Sequence, residues 1–403
     1  VAGMSRREVL RAGVAAGVSA AAGLTFPAVL RAQVKSLKIG LLLPYSKVYA
    51  VLGESITNGM RVVFEAEGNR VAGRPVELLR EDTEVSPPVA LRKLRKFLTS
   101  DHVDFVVGPV SSAVAAAIRD PIHQARVILL NANAGDNALT RERCSSYIFR
   151  TSFSNWQTSY GLGAWVKQRV GGTAYLTGPD YAAGYQIVGA FKESFVAAGG
   201  TVVGESYVKL GSTDYAAILA QIGAAAPALS FSFFAGSDAV HFVKQFAEFG
   251  LKGKVRLTGA GFLVSDDVLE SQGEAAVGAI TTLHYTRTLQ NPQNLEFRKR
   301  YQALTGRPPD VYAVQGHDTA RVILEALRQT GGDTADPDRL SRVIRGIQFD
   351  SPRGRFRFDP ATHNVINDMY VMEVRRGEEG LANYVLSVVK DLKDPGHCPN
   401  IAA

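Results

Sequence analysis

Two cysteines, Cys144 and Cys398, are all that this chain of 403 residues carries. So small a number, set so far apart, excludes a disulfide-framework fold and any C-x-x-C redox or zinc motif. The seven histidines are dispersed and no H-E-x-x-H occurs, so no zinc spacing is available to them either. A serine hydrolase would need a nucleophile elbow, and no G-x-S-x-G is present. P-loop and kinase signatures are missing, and Gly161-x-Gly163 and Gly259-x-Gly261 both lack the third glycine of a dinucleotide fingerprint. Lysines and arginines are scattered along the chain instead of gathered into a basic block with interleaved aromatics, which speaks against nucleic acid as a partner. Catalysis is therefore not expected, and neither is a cofactor or a metal.

What is present is globular. Hydrophobic residues make up 46% and charged residues 21%, and the length points to two domains. Residues 1–33 read as an export signal: Ser5-Arg6-Arg7-Glu8-Val9-Leu10-Arg11 is followed by an Ala/Gly-rich stretch, Ala12 to Ala28, too short and too small-residued to anchor in a bilayer. The paired arginines resemble a twin-arginine signal, and cleavage is expected after Ala32. Without the leader's four arginines and one glutamate, the net charge of +7 falls to +4. A periplasmic location is the expectation. In such an oxidising compartment Cys144 and Cys398 either pair, tying the C-terminal tail to the loop after Leu139, or remain two free thiols.

The organising stretch is His102 to Asn133. Phe105 to Val107 form a short buried strand that Gly108-Pro109 stops. Ser111 or Ser112 then caps a helix over Ala113 to Ile118, whose first amide N–H groups would attract a carboxylate. Asp120-Pro121 reads as a second cap with a first-turn proline. Val127 to Leu130 make the next strand, ending in Asn131-Ala132-Asn133 beside the same turn. A helix-capping serine in an ordinary β-α-β unit is the plainer reading of the same residues.

Around it the β-α pattern repeats. Leu37 to Leu43 is a first strand, followed by a loop through Tyr45, Tyr49 and Gly53 and a helix with Ile56, Met60, Val63 and Phe64 inside. Strand Val76 to Glu81 precedes Ser86-Pro87, which opens a helix with Leu91, Leu94 and Leu98 inside. After Phe149-Arg150-Thr151-Ser152 a second series begins, with strands at Ala174 to Thr177, Val202 to Tyr207, Leu229 to Phe234, Val255 to Thr258 and Ala279 to His284. Gly178-Pro179-Asp180-Tyr181 reads as a polar loop within it. Phe234-Ala235-Gly236-Ser237-Asp238 repeats, in short, the glycine turn and capped helix of Gly108 to Ser112. Helices over Pro292 to Leu304 and after Tyr312 return to the first domain, and Val365 to Val374 with Tyr384 to Val389 form a strand pair. The fold class is therefore α/β: two Rossmann-like lobes with parallel sheets joined by a three-stranded hinge, with a cleft between them. Lobe 1 comprises 34–151 plus 286–352, lobe 2 comprises 152–285 plus 353–390, and 391–403 is a C-terminal tail.

Lys38-Ile39-Gly40-Leu41-Leu42-Leu43-Pro44, Gly59-Met60-Arg61, Val71 to Leu78, Val107 to Ser112, Phe149-Arg150-Thr151, Phe234-Ala235-Gly236, Ala313-Val314-Gln315-Gly316 and Phe349 to Gly354 carry a family likeness. In this order and spacing the chain from Lys38 to about Val374 resembles the periplasmic solute-binding proteins of the branched-chain amino-acid type, which serve ATP-driven importers. The resemblance implies a type I periplasmic binding fold, a monomer, an ABC permease as membrane partner, and a small-molecule ligand. It also implies that Ser111, Ser112, Ala132 and Asn133 hold the ligand carboxylate and that Tyr181 approaches from the second lobe.

The chain departs from the amino-acid binders of that family where they carry an acid for the ligand ammonium. Here that place reads Gly259-Ala260-Gly261-Phe262, with no carboxylate, and a buried ammonium without a counter-charge is costly. Asp238 is either the substitute or a helix cap. Tyr45, Tyr49, Tyr181, Phe234, Phe262, His284 and Tyr285 all fall at expected cleft-facing ends. With Asp180, Gly236, Ser237 and Gly261 they complete the candidate ligand-binding set, and their lining favours an aromatic carboxylate such as a benzoate or cinnamate. Branched-chain or other amino acids, or delivery of the ligand signal to a membrane sensor instead of a permease, are the alternatives. Tyr45 and Tyr49 read equally as exposed loop residues, His284 as a hinge histidine, and Gln315 and His317 as touching either ligand or hinge.

Overall fold

The computed structural model describes residues 35–401, so the export signal expected over 1–33 lies outside the described residues. The first lobe opens with β1 (Leu37–Leu43), α1 (Ala50–Ala66), β2 (Arg70–Val71), β3 (Arg74–Asp82) and α2 (Pro87–Lys96). It continues through β4 (Phe105–Val107), α3 (Ser112–Ala125), β5 (Ile128–Asn131) and β6 (Ile148–Arg150). The sheet order is β2-β3-β1-β4-β5-β6, parallel except for β2, which folds back on β3. β1 reads LKIGLLL without polar alternation because helices cover both faces. Successive residues still part ways. Leu42, Val106, Leu129 and Ile148 meet Leu94 and Phe97 beside α2 and Val114, Ile118 and Ile122 of α3. Their neighbours Leu41, Leu43, Phe105, Val107 and Leu130 belong to the other face, with Ile56 and Met60 of α1.

The second lobe begins with α4 (Gln157–Arg169), β7 (Thr173–Pro179), α5 (Ala182–Ala197), β8 (Thr201–Val208), α6 (Ala216–Ala225) and β9 (Leu229–Ser232). α7 (Ser237–Glu248), β10 (Arg256–Ala260), α8 (Asp266–Gln272) and β11 (Ile280–Leu283) follow. The chain then supplies α9 (Pro292–Thr305) and α10 (Val311–Thr330), which pack on α1 of the first lobe, and α11 (Pro337–Arg345) beside α10. Gly59 and Gly316 make the α1–α10 crossing possible, since a methyl at either would lie within 2.0 Å of a carbonyl oxygen of the facing helix. A hairpin of β12 (Gln348–Ser351) and β13 (Gly354–Arg357) leads to β14 (Asn367–Gly377) and β15 (Gly380–Leu392). These last two strands form the strand pair read from the sequence, and they extend the second sheet antiparallel to β11, in the order β15-β14-β11-β10-β9-β7-β8.

The backbone passes between the two sheets after β6, after β11 and after β13. Arg353, in the β12–β13 turn, is buried and ties the first passage to α10 and to the start of β14. Its Nε donates to Asp318 Oδ2 of α10 at 2.7 Å, its two terminal nitrogens donate to the carbonyls of Thr151 (2.6 Å) and Ser152 (3.0 Å), and one reaches Asn367 Oδ1 at 3.2 Å. The Arg353 guanidinium beside Asp318 helps hold that carboxyl below its ordinary value against the upward push of burial. The tail is fastened to the first lobe by a Cys144–Cys398 disulfide, with Cα atoms 5.7 Å apart, and by Arg141 paired with both oxygens of Asp394 at 2.9 and 3.0 Å.

Three sequence expectations change. Asp120-Pro121 does not start a helix, because α3 runs through it. The buried face Val114, Ile118, Ile122 continues across the proline, and the Ala117 carbonyl that loses its partner there is on a partly exposed turn. In α2 the inward face is Ala90, Leu94 and, one residue beyond its end, Phe97, which lies against Gly40, whereas Leu91 is exposed and Leu98 half-buried. Strand β7 extends through Gly178-Pro179, leaving only Asp180 and Tyr181 as a loop.

Candidate functional site

The carboxyl ends of the two sheets face one narrow cavity of about 30 Å³. From the first lobe, β4 ends in Gly108-Pro109, Val110 and Ser111, and Ser111 is the N-cap of α3 in extended backbone with no side-chain cap bond. The helix therefore presents its first N–H groups without a capping oxygen. Ser112 lines the cavity, and its Oγ accepts from Asn155 Nδ2 at 3.3 Å. Beyond β5, Asn133 and Gly135 line it as well, and Asn133 Nδ2 donates to Gln315 Oε1 at 2.7 Å. The start of α1 gives Tyr49 and Leu52, the first turn of α10 gives Tyr312, and the first passage between lobes gives Phe153 and Asn155. The second lobe adds Tyr181, Ala183 and Ile187 from the start of α5, Phe233 and Ala235 after β9, and Phe262 after β10.

The walls are aromatic and uncharged. Phe153 and Phe262 meet with ring centroids 5.0 Å apart, Phe262 and Tyr312 at 6.0 Å, and Phe233 and Phe262 edge-on at 6.1 Å. Tyr49 and Tyr181 join the lobes through their hydroxyls, 3.1 Å apart. Burial raises the Tyr49 phenol well above its ordinary value and pushes Tyr181 up to about 12, so both keep their protons. Among the described residues, no side chain lining the cavity carries a charge. Acids stand behind its walls, where burial pushes Asp238 up to about 6 and Asp267 up to about 8.

Of the residues singled out in the sequence, Tyr49, Ser112, Asn133, Tyr181 and Phe262 come together at the cavity. Ser111 and Ala132 are buried immediately beside it, in its backbone frame. His284 is fully buried one layer back, its ring stacked on Phe153 at 5.6 Å and its Nε2 3.2 Å from Gln315 Nε2. Desolvation holds it well below an ordinary histidine pKa, hence neutral. Gln315 thus bridges Asn133 to His284, whereas His317 turns to Asp318 at 3.0 Å.

Other residues lie elsewhere. Tyr45 packs under the Arg80 guanidinium at 4.0 Å and bonds Thr57 at 2.9 Å, outside the cavity. Phe234 is core, packed on Phe242 (4.6 Å) and Tyr215 (5.1 Å), because strand parity sends its neighbour Phe233 to the cleft instead. Asp180 is exposed and accepts from Tyr185, and Ser237 is exposed on the first turn of α7. Gly261 is buried against Leu283, and Tyr285 is buried with its hydroxyl on Asn294 at 2.9 Å. Gly236, not Asp238, is the N-cap of α7; Asp238 sits in its first turn, accepts from the Gly211 N–H at 2.8 Å, and does not line the cavity. Gly236 is instead where the lobes touch, directly opposite the Val48 carbonyl.

Sequence reasoning passed over Phe153, Asn155 and Tyr312. The first two follow the end of β6 by three and five residues, within the passage that crosses from one lobe to the other beside the cavity. Tyr312 belongs to a first helical turn aimed at the cleft, behind Pro308-Pro309-Asp310, a legible helix start.

A family described as periplasmic binding protein matches residues 36–379. The chain belongs to that family. This periplasmic binding protein is 26% identical over 366 residues to Leu/Ile/Val-binding protein homolog 6 of Brucella melitensis, covering 89% of this chain and 93% of the relative. A solute-binding protein of an ABC transporter from R. palustris, solved with benzoate, superposes with a TM-score of 0.86 at 33% identity, covering 90% of this chain and 99% of the other. A second, from Rhodopseudomonas palustris BisB5 with 3,4-dihydroxybenzoic acid, gives 0.85 at 33% identity over 89% and 99%. Membership of the family places this periplasmic binding protein outside the cytoplasm, and among its described residues no helix is long and apolar enough to cross a membrane and no group of three or more His, Cys, Asp or Glu is arranged to hold a metal ion.

Proposed function

We propose that this periplasmic binding protein is the solute receptor of an ABC importer and that its cleft takes a small aromatic monocarboxylate. The observation that carries the reading is a cavity with aromatic walls, neutral donors and no charged side chain. The carboxylate belongs at Ser112, Asn133 and the open N-terminus of α3, where N–H groups and the helix dipole supply positive potential without a cation. The ring belongs among Phe153, Phe233 and Phe262, which must part to admit it, since about 30 Å³ is the room of a single water molecule. An α-amino acid, as the names of the Leu/Ile/Val relatives would have it, brings an ammonium that meets no carboxylate in the lining. The benzoate and dihydroxybenzoate seen in the two structural neighbours support the same ligand class.

The test is a thermal-shift screen with benzoates and cinnamates against leucine and valine. A ligand at about 100 times its Kd adds roughly 2.7 kcal/mol, a clear shift in Tm. Stabilisation by the aromatic acids alone is expected; stabilisation by the aliphatic amino acids alone overturns the ligand class. Ser112→Ala should weaken aromatic carboxylates roughly 10- to 150-fold, the worth of a hydrogen bond to a charged group at about 1.5–3 kcal/mol. An unchanged affinity in titration calorimetry would move the carboxylate elsewhere.

A further inference from the structure

Three phenols share the cavity with the serine and amide groups, and their hydrogen-bonding is incomplete. Tyr49 and Tyr181 bond each other at 3.1 Å, which uses one of their two protons. Tyr312, 1% exposed, lines the cavity, and its hydroxyl makes no hydrogen bond of sound geometry, Ser265 being the polar side chain beside it. Buried or half-buried tyrosines away from the cavity are mostly satisfied: Tyr45 by Thr57, Tyr285 by Asn294, and Tyr370 by the Arg353 carbonyl at 2.9 Å. Tyr215, under α7, also lacks a partner, but it lies in the second-lobe core and not at the cavity. A buried hydroxyl without a partner is unfavourable, and one on a cavity wall marks a place for a polar atom.

We infer that Tyr312, with the Tyr49–Tyr181 pair, reads a hydroxyl group on the ligand's ring, so that hydroxylated aromatic carboxylates are selected over unsubstituted ones. The inference rests on the aromatic-carboxylate reading above. A phenolic hydroxyl both donates and accepts, which suits two spare phenol protons and their lone pairs. A second carboxylate does not suit them, because no cation lines the cavity and the nearest ionisable neighbours behind the wall, Asp238, Asp267 and Asp310, are acids. An ammonium would need one of those acids ionised and in reach, and none lines the cavity. Burial raises the phenols of Tyr49 and Tyr312 and brings Tyr181 to about 12, so all three remain neutral donors across the physiological range.

Titration calorimetry on the full-length protein with benzoate, 3-hydroxybenzoate and 4-hydroxybenzoate tests this. At least one hydroxy acid should bind tenfold or more tightly than benzoate, since a site built to pair a hydroxyl discriminates strongly against the analogue without it. Tyr312→Phe should reduce that preference to threefold or less, the hydroxy acid losing more affinity than benzoate. Tyr49→Phe, which leaves Tyr181 unpaired, serves as the second variant and should also cut the preference. A single cooperative melting transition within a few degrees of the wild type shows in each case that the variant is folded. Equal affinity of the wild type for all three acids, or a preference that survives both substitutions, overturns the inference. If none of the three binds while leucine does, it is the aromatic-carboxylate reading that has failed, and this inference falls with it.

Discussion

Gly236 is the position where a single methyl group should separate ligand capture from fold stability. It begins α7 with φ +59° and ψ −138°, a conformation that side chains strongly disfavour, and a Cβ there would lie 2.3 Å from the Val48 carbonyl oxygen and 3.5 Å from Tyr49 Cδ1. Carbon–oxygen contacts settle near about 3.3–3.6 Å, so alanine would force the surfaces apart by roughly 1 Å. Two penalties follow, and they act on different equilibria. The backbone strain, about 1–3 kcal/mol, is present however the lobes are disposed and lowers Tm. The overlap with Val48, about 1–3 kcal/mol by analogy with overpacked cores, exists only where the second lobe meets the first as it does here. A ligand that binds this closed arrangement must make up that difference, so Gly236→Ala should weaken it roughly 5- to 150-fold although residue 236 is not part of the cavity lining. Calorimetric Kd values and melting temperatures, measured side by side with the acid that binds the wild type best, check this. A lowered Tm with Kd unchanged within twofold would refute the reasoning, because the strain would then be real and the closure contact irrelevant.

Asp267 should make stability depend on pH. Burial first, then the nearby Asp310 carboxyl, raises it to about 8, against roughly 4 in an unfolded chain. The folded state thus keeps a proton that the unfolded state loses, and this contribution is full below about pH 4 and is lost as pH rises through about 8. Asp267→Asn, a mimic of the protonated form, should gain on the wild type in Tm between pH 5 and pH 9; a pH-independent difference would contradict the assignment. The Cys144–Cys398 bridge closes a loop of 254 positions and should contribute about 2–4 kcal/mol. Cys398→Ser is expected to lower Tm while leaving ligand affinity unchanged, because neither cysteine lines the cavity; a Tm that does not move would mean that Arg141 and Asp394 hold the tail unaided.

The sheets were legible because parallel strands buried on both faces leave uninterrupted apolar runs such as Leu37–Leu43, and because Ser86-Pro87 and Gly108-Pro109 punctuate them clearly. The cleft residues at strand ends, Ser112, Asn133 and Phe262, followed from the same rule that loops after parallel strands gather at one edge. What failed was parity and context. Phe233 and Phe234 are adjacent and alike, and only the place where β9 ends decides which ring enters the cleft. Pro121 looked like a boundary until Val114, Ile118 and Ile122 were seen to form one buried stripe across it. Tyr312 joins the cavity from a helix whose packing partner, α1, lies far away in sequence; Pro308-Pro309-Asp310 marks where that helix starts but not the cleft it faces.

Arg353 reaches the carbonyls of the first passage between the lobes and the start of β14 after the third, while Asp318 anchors it to α10. Three separate strands would otherwise allow the lobes to slide and twist as well as bend. A guanidinium bonded to the first and third passages and to α10 opposes such sliding, and the movement we expect to remain is rotation about that point. In such a rotation displacement grows with distance, so residues next to Arg353 would move least and the contacts across the cleft, where Tyr49 meets Tyr181 and Val48 meets Gly236, would travel further. The contacts most sensitive to closing would then be those across the cleft, and the element that guides them a buried ion pair outside the cavity lining.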